Sequence, residues 1–253
     1  EAKKLGIICF SSPFDIEGVD FLAALNVPAY KIASFEAIDY ELIKKIAEKN
    51  KPIILSTGMC NFEEIQAALK LLNDTGIQNI GLLKCVSAYP APFSSMNLST
   101  LLDYKNHFNV IPGLSDHSPG ASASIAAVSL GAKIIEKHFT IDRNFKTPDS
   151  DFSMEPQEFK LMVNMIREAE QSLGIPTYGP GEAEAGSIHF RRSIFAIKNI
   201  AKGEILSKNN IRVIRPGNGI HPKYLQALLG QPSPMNIKRG EPLNNTFLKE
   251  STP

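Results

Sequence analysis

Short apolar runs alternate with helical periodicities along most of this chain. The runs are "LGIICFSS" (5–12), "AYKIAS" (29–34), "KPIILSTG" (51–58), "NIGLLKCVS" (79–87), "NVIPGLSD" (109–116) and "AKIIEKHFT" (132–140). Between them the spacing of apolar positions predicts helices over Ile16–Leu25, Tyr40–Lys49, Phe62–Asn73 and Ala121–Leu130. Such alternation predicts an α/β fold with a parallel sheet covered by helices. Six strands are legible, whereas a closed (β/α)8 barrel has eight. The preferred reading is therefore a TIM barrel lacking its first two βα units in this chain. "EAKKLG" fits it, reading as the last turn of a helix closed by glycine, so residue 1 is expected to lie partway through a larger protein. A doubly wound open sheet is the alternative, but no glycine-rich fingerprint follows any strand.

After the helical pattern "PQEFKLMVNMIREAEQSLG" the character changes. "IPTYGPGEAEAGS" is rich in Gly, Pro and Ala and reads as a linker. The expected organisation is a partial barrel over 1–175, a linker over 176–188 and a second module over 189–253. That module shows short strand signals ("SIFAIKNI", "IRVIRPG", "MNIKRGEPL"), turns, and one short helix around Tyr224–Leu229, so it is expected to be small and mostly β.

Composition narrows the function classes. In 253 residues, 27 Lys and Arg balance 26 Asp and Glu, so nothing in the totals points to nucleic acid or an anionic membrane as partner. An anionic ligand must then be met by local charge. Cys9, Cys60 and Cys85 are scattered, with neither a disulfide framework nor metal-ligand spacing. No apolar run approaches the roughly 20 residues that span a bilayer, and the start lacks signal-peptide features, so a reducing cytoplasm is the expected compartment.

Two of the five histidines sit at matched strand ends, in "PGLSDHSPG" and "IIEKHFT". Side chains alternate across a strand, which places Gly113, Ser115 and His117 on one face and Ile134, Glu136 and His138 on the neighbouring strand's face. If these sets point into a barrel, both imidazoles and Glu136 meet at the C-terminal mouth, where barrel enzymes act. Two histidines with a nearby carboxylate can hold a divalent metal with open positions. The bland alternative is that each histidine is a core residue bonded to a backbone carbonyl. Lys31 is a cation inside an apolar strand; it either reaches water between helices or faces an anion or electrophile at the mouth. Ser12, Ser34, Ser56 and Ser87 lie at or just beyond strand ends, where hydroxyls cap helices or, with Lys31, surround a phosphate or carboxylate. By default Asp149 is a turn residue and Arg215 a solvated arginine.

The ordered motifs "CFSSPFD", "PAYKIASFE", "PIILSTGM", "GLSDHS", "IEKHFT", "PDSDFSM" and "RPGNGIHPKY" resemble the bacterial sialic acid synthase family over essentially the whole chain. "YKIASFEA", "KCVSAYP" and "GIHPKYLQALLG" look most like its pseudaminic acid synthases, with legionaminic and N-acetylneuraminic acid synthases as close relatives. The resemblance implies a (β/α)8 barrel followed by an antifreeze-like (SAF) domain, which in the family's domain-swapped homodimer reaches over the partner's site. It implies condensation of phosphoenolpyruvate with an amino-sugar aldehyde, giving a nine-carbon 2-keto acid and phosphate by C–O cleavage.

Carried over by position, the resemblance makes His117 and His138 the ligands of Mn2+, Mg2+ or Co2+, with Glu136 a carboxylate beside the metal. Lys31, Ser12, Ser34, Ser56 and Ser115 become phosphoenolpyruvate contacts. Tyr89, Glu36 and Asp149 become sugar contacts, and Arg215 a trans contact to the sugar's acyl group. Ser87 departs from the pattern, since sialic acid synthases have asparagine there. The family's first two strands also carry active-site groups, so the 253 residues alone are expected to be poorly active. Two other classes compete: a lysine-dependent aldolase forming a Schiff base on Lys31, and a non-catalytic carbohydrate- or ice-binding protein.

Overall fold

The computed structural model describes residues 1–248 and divides the chain into two units, 1–175 and 176–253. In the first unit the elements run α1 (Ile16–Ala24), β1 (Tyr30–Ile32), α2 (Tyr40–Ala47), β2 (Ile53–Ser56), α3 (Phe62–Asp74), β3 (Ile80–Cys85), α4 (Thr100–His107), β4 (Ile111–Asp116), α5 (Ser122–Ser129), β5 (Ile134–Lys137) and α6 (Pro156–Leu173). The strands form one parallel sheet in chain order, β1-β2-β3-β4-β5.

Local chemistry sets the helix starts. The Asp15 carboxylate accepts from Gly18 N at 2.6 Å, Asp39 accepts from Leu42 N at 3.0 Å, and Asn61 and Glu64 form a reciprocal capping box. Each helix then turns its apolar stripe inward. α2 buries Leu42, Ile43, Ile46 and Ala47, the large side chains each contributing about 1.5–3 kcal/mol. α4 is an element the apolar pattern did not mark, because only Leu101 and Tyr104 are buried in an otherwise polar stretch.

The two faces of the sheet differ completely. Tyr30, Ile32, Ile53, Leu55, Ile80, Leu82 and Leu114 pack into a continuous core with Val19, Leu42, Ile43, Leu72 and Leu101 from the helices. The alternate positions, Lys31, Ser56, Cys85, Ser115 and Glu136, carry polar or small side chains on the other face. Gly113 belongs to that face: a β-carbon there would lie 2.3 Å from Leu83 Cδ2 and 2.6 Å from the Ile134 carbonyl oxygen. Close approach of β4 to its neighbours therefore requires glycine.

"LGIICFSS" is not the strand its apolar content predicts. Ala2–Leu5 form a 3-10 turn ended at Gly6, and residues 6–15 lie in no strand. A single bond, Lys31 N to Ser11 O at 3.3 Å, links the segment to β1, and Ile7 and Ile8 are exposed. Apolar residues alone do not make a strand; a ladder of backbone partners does. The sheet thus has five strands rather than six.

The second unit has its own core of Ile194, Ile200, Leu206, Ile211, Leu228, Ile237 and Leu243. β6 (Ser193–Ala196) pairs antiparallel with β7 (Ile211–Ile214), and a 3-10 turn at Pro222–Tyr224 leads into α7 (Leu225–Leu228). "MNIKRGEPL" forms only isolated bridges, Ile200 with Ile237 and Phe195 with Pro242. Residues 182–190 wind into an exposed 3-10 helix within the stretch whose composition reads as a linker.

Candidate active site

The polar face of the first unit's sheet ends in a pocket of about 210 Å3. Ser12, Lys31, Ser34, Ser56, Tyr89, Ser115, His117, Glu136 and His138 line it, so nine of the residues singled out from the sequence converge there. Ala33, Phe35 and Cys85 complete the wall.

Lys31 is the charged centre. Its side chain is 9% exposed, and its ammonium donates to Ser56 Oγ at 2.8 Å and to the Ile32 carbonyl at 3.1 Å, with Glu136 Oε2 at 3.5 Å. The alternative in which Lys31 reaches water between helices is therefore overturned. Burial depresses its pKa, and the Glu136 carboxylate opposes that depression. Glu136 in turn accepts from Ser115 Oγ at 2.6 Å. Cation, carboxylate and hydroxyls thus form one chain across β1, β2, β4 and β5.

The imidazoles stand just beyond the ends of β4 and β5, with ring centroids 5.2 Å apart. His117 Nδ1 lies 2.8 Å from the Val86 carbonyl oxygen; donating that bond fixes the tautomer and leaves Nε2 as the free coordinating nitrogen. His138 Nδ1 faces Asp149 Oδ2 at 3.6 Å, the same carboxylate-to-imidazole arrangement. The backbone-bonded histidine of the bland alternative is therefore present at His117, but inside a polar pocket. Burial lowers the pKa of His138, and the nearby His117 lowers it further. Burial would also lower that of His117, yet hydrogen bonds to Cys85 and Val86 outweigh it and leave the group raised. A metal at Nε2 would displace that proton.

Tyr89 and Phe152 close the aromatic side. The Tyr89 ring is 4.3 Å from that of His117, and Phe152 is 4.9 Å from His138 and 5.5 Å from Tyr89. Among the described residues no group of three His, Cys, Asp or Glu is arranged to hold a metal. The donor set fits a divalent ion held by two imidazoles, with water or substrate oxygens completing its shell.

Other singled-out residues lie outside the pocket wall. Glu36 Oε2 and Ser87 Oγ are buried side-chain atoms without a hydrogen-bond partner. Asp149 acts through His138, and Arg215 lies in the second unit, directly after β7.

Gly58 and Cys85 were not read as site residues. Gly58 N donates to Ser34 Oγ at 3.0 Å, and a β-carbon there would lie 2.2 Å from Ser87 Oγ. The backbone thus reaches the hydroxyls only because a side chain is missing. Cys85 lies 3.9 Å from His117 Nδ1; burial would raise its thiol pKa, but hydrogen bonds with His117, Ser34 and Ser115 hold it low. Strand alternation could have revealed Cys85, since it is the register partner of Ser115.

A pseudaminic acid synthase of Campylobacter jejuni subsp. jejuni serotype O:23/36 is 43% identical over 97% of this chain and 71% of its own length. An N,N'-diacetyllegionaminic acid synthase of Campylobacter jejuni subsp. jejuni serotype O:2 is 44% identical over 95% of this chain and 73% of its own. The crystal structure of the Bacillus subtilis spore coat polysaccharide biosynthesis protein spsE superposes with a TM-score of 0.66 at 32% identity, covering 99% of this chain and 76% of that one. The NeuB family model matches residues 1–178, the SAF domain model matches 191–249, and the chain belongs to the NeuB family.

Proposed function

We propose that this protein condenses phosphoenolpyruvate with an open-chain acylamino-sugar aldehyde, forming a nine-carbon 2-keto acid of the pseudaminic or sialic type and releasing phosphate. The observation that carries this reading is the single pocket in which the buried Lys31, the hydroxyls of Ser12, Ser34, Ser56 and Ser115, Glu136 and two imidazoles converge. Phosphoenolpyruvate presents a phosphate and a carboxylate, and this pocket offers a fixed cation and several donors to match. Its names fit too: the relatives are synthases of such nine-carbon acids.

Lys31 and the serines hold the enol phosphate and stabilise the departing phosphate, the task of a preorganised cation in a closed site. C3 of phosphoenolpyruvate attacks the aldehyde carbon, positive character develops at C2, and water adds there. Glu136 is placed to take that water's proton, and the resulting tetrahedral centre expels phosphate with C–O cleavage. His117 and His138 would hold a divalent cation (Mn2+, Mg2+ or Co2+), whose Lewis acidity polarises the aldehyde carbonyl. Tyr89, Glu36 and Asp149 are assigned to the sugar, and Ser87 to the rim where Gly58 admits the backbone.

The three acceptors around Lys31 favour an ammonium over the neutral amine that a Schiff-base aldolase needs. We further assign 1–175 to a barrel of which this chain holds the later βα units, 176–188 to a linker and 189–253 to the SAF domain. In a domain-swapped homodimer Arg215 would serve the partner's site. No helix of the described residues is long and apolar enough to cross a membrane, and three free thiols suit a reducing cytoplasm.

The test is phosphate release from phosphoenolpyruvate by the full-length protein with a panel of amino sugars, with and without chelator. Release that depends on both a sugar and a divalent ion is expected. Borohydride trapping of pyruvate on Lys31, with turnover insensitive to chelator, would replace this reading by the aldolase.

A further inference from the structure

One residue before each imidazole, on the opposite face of the sheet, stands a second polar pair. Asp116 and Lys137 are register partners across β4 and β5. Their side chains are 0% and 1% exposed and meet at 2.9 Å, Lys137 Nζ to Asp116 Oδ2. The carboxylate is saturated: Oδ1 accepts from Ser118 N at 2.8 Å and Ser118 Oγ at 2.6 Å, and Oδ2 also accepts from Ser124 Oγ at 2.7 Å. Lys137 donates as well to the Ser118 carbonyl. The network therefore ties together the end of β4, the turn after it, helix α5 and the end of β5.

His117 is flanked on both sides by members of this network, and His138 directly follows Lys137. A buried ion pair of this kind contributes little net stability, because desolvation offsets the attraction. Its effect lies in order. Alternation along a strand means that holding Asp116 and Lys137 on one face sets the directions in which His117 and His138 leave the backbone on the other.

We propose that Asp116 and Lys137 are positioning residues that set the separation of the two imidazoles and hence the affinity for a divalent cation. The inference rests on the reading that His117 and His138 hold such a cation. Groups that orient metal ligands typically change affinity 10–100-fold when lost.

The test is calorimetric titration of the full-length protein with Mn2+, beside kcat and KM for phosphoenolpyruvate and a thermal melt. Replacing both members together, Asp116→Leu with Lys137→Met, leaves no unpaired buried charge. The Mn2+ Kd is expected to rise about tenfold or more, with a melting midpoint near that of the parent and a KM for phosphoenolpyruvate that moves less than the metal affinity. Lys137→Arg, which can keep the pairing, is expected to restore most of the affinity. Should the double variant not fold, Asp116→Asn gives the same readout and the same expected direction. A folded variant with a Kd within twofold of the parent overturns the inference while leaving the metal reading intact. A parent protein that takes up no Mn2+ overturns both.

Discussion

Replacing Lys31 by Met separates catalysis from stability. The ammonium donates to Ser56 Oγ and the Ile32 carbonyl and faces Glu136 at 3.5 Å. Removing it strands those acceptors, at about 1–3 kcal/mol for each one left unsatisfied, but also ends the desolvation of a buried cation, worth several kcal/mol. These terms oppose each other, so the folded state is expected to change by no more than about 2 kcal/mol, with either sign. Activity has no such offset. Loss of one preorganised charge at the reacting group is expected to lower kcat by roughly 10²–10³-fold, about 2.7–4 kcal/mol. The pH dependence gives a second signature. Burial holds the Lys31 pKa below its usual 10.5, so between the depressed value and 10.5 the unfolded chain binds more protons and stability rises with pH. The penalty is fully present below the folded value and relieved as pH climbs toward 10.5. The Met variant lacks this contribution, and the difference between the two stability-versus-pH curves isolates it. Chemical denaturation across the alkaline range, with phosphate-release kinetics on full-length protein, measures both effects. A Met variant that keeps kcat within threefold refutes the role given to Lys31.

Gly58→Ala is expected to raise the KM for phosphoenolpyruvate about tenfold or more, as for a misplaced binding group, because its β-carbon would sit 2.2 Å from Ser87 Oγ and 2.8 Å from Ser34 Oγ; steady-state kinetics decide, and an unchanged KM removes these hydroxyls from the site. His138, lowered by burial, is expected to titrate below 6.5 in the metal-free protein, as read from its imidazole proton resonances. Its share of stability should therefore rise with pH from its depressed value up to 6.5, and a midpoint above 6.5 contradicts the burial described here. Tyr104, whose hydroxyl meets Thr57 Oγ1 at 2.8 Å and whose pKa is pushed up to about 12 by burial, tests the scaffold. Tyr104→Phe is expected to cost about 1 kcal/mol in urea denaturation with kcat unchanged, and a large loss of kcat would couple α4 to the chemistry.

Much of the architecture was legible in one dimension because it depends on local periodicity. The runs at "AYKIAS", "KPIILSTG", "NIGLLKCVS", "NVIPGLSD" and "AKIIEKHFT" each contain a strand, and alternation placed Ser115 with His117 and Glu136 with His138 before any coordinates. The ordered motifs were enough to indicate the family. Other features depend on what a segment meets. "LGIICFSS" has strand composition but pairs through one backbone bond, since pairing is a property of two segments. The reach of Gly58 to Ser34 and Ser87, the contact of Cys85 with His117, and the buried Asp116–Lys137 pair arise from interstrand register and loop packing. A linear pattern tells which way a side chain faces, whereas distances across strands follow only from how the sheet closes around its core.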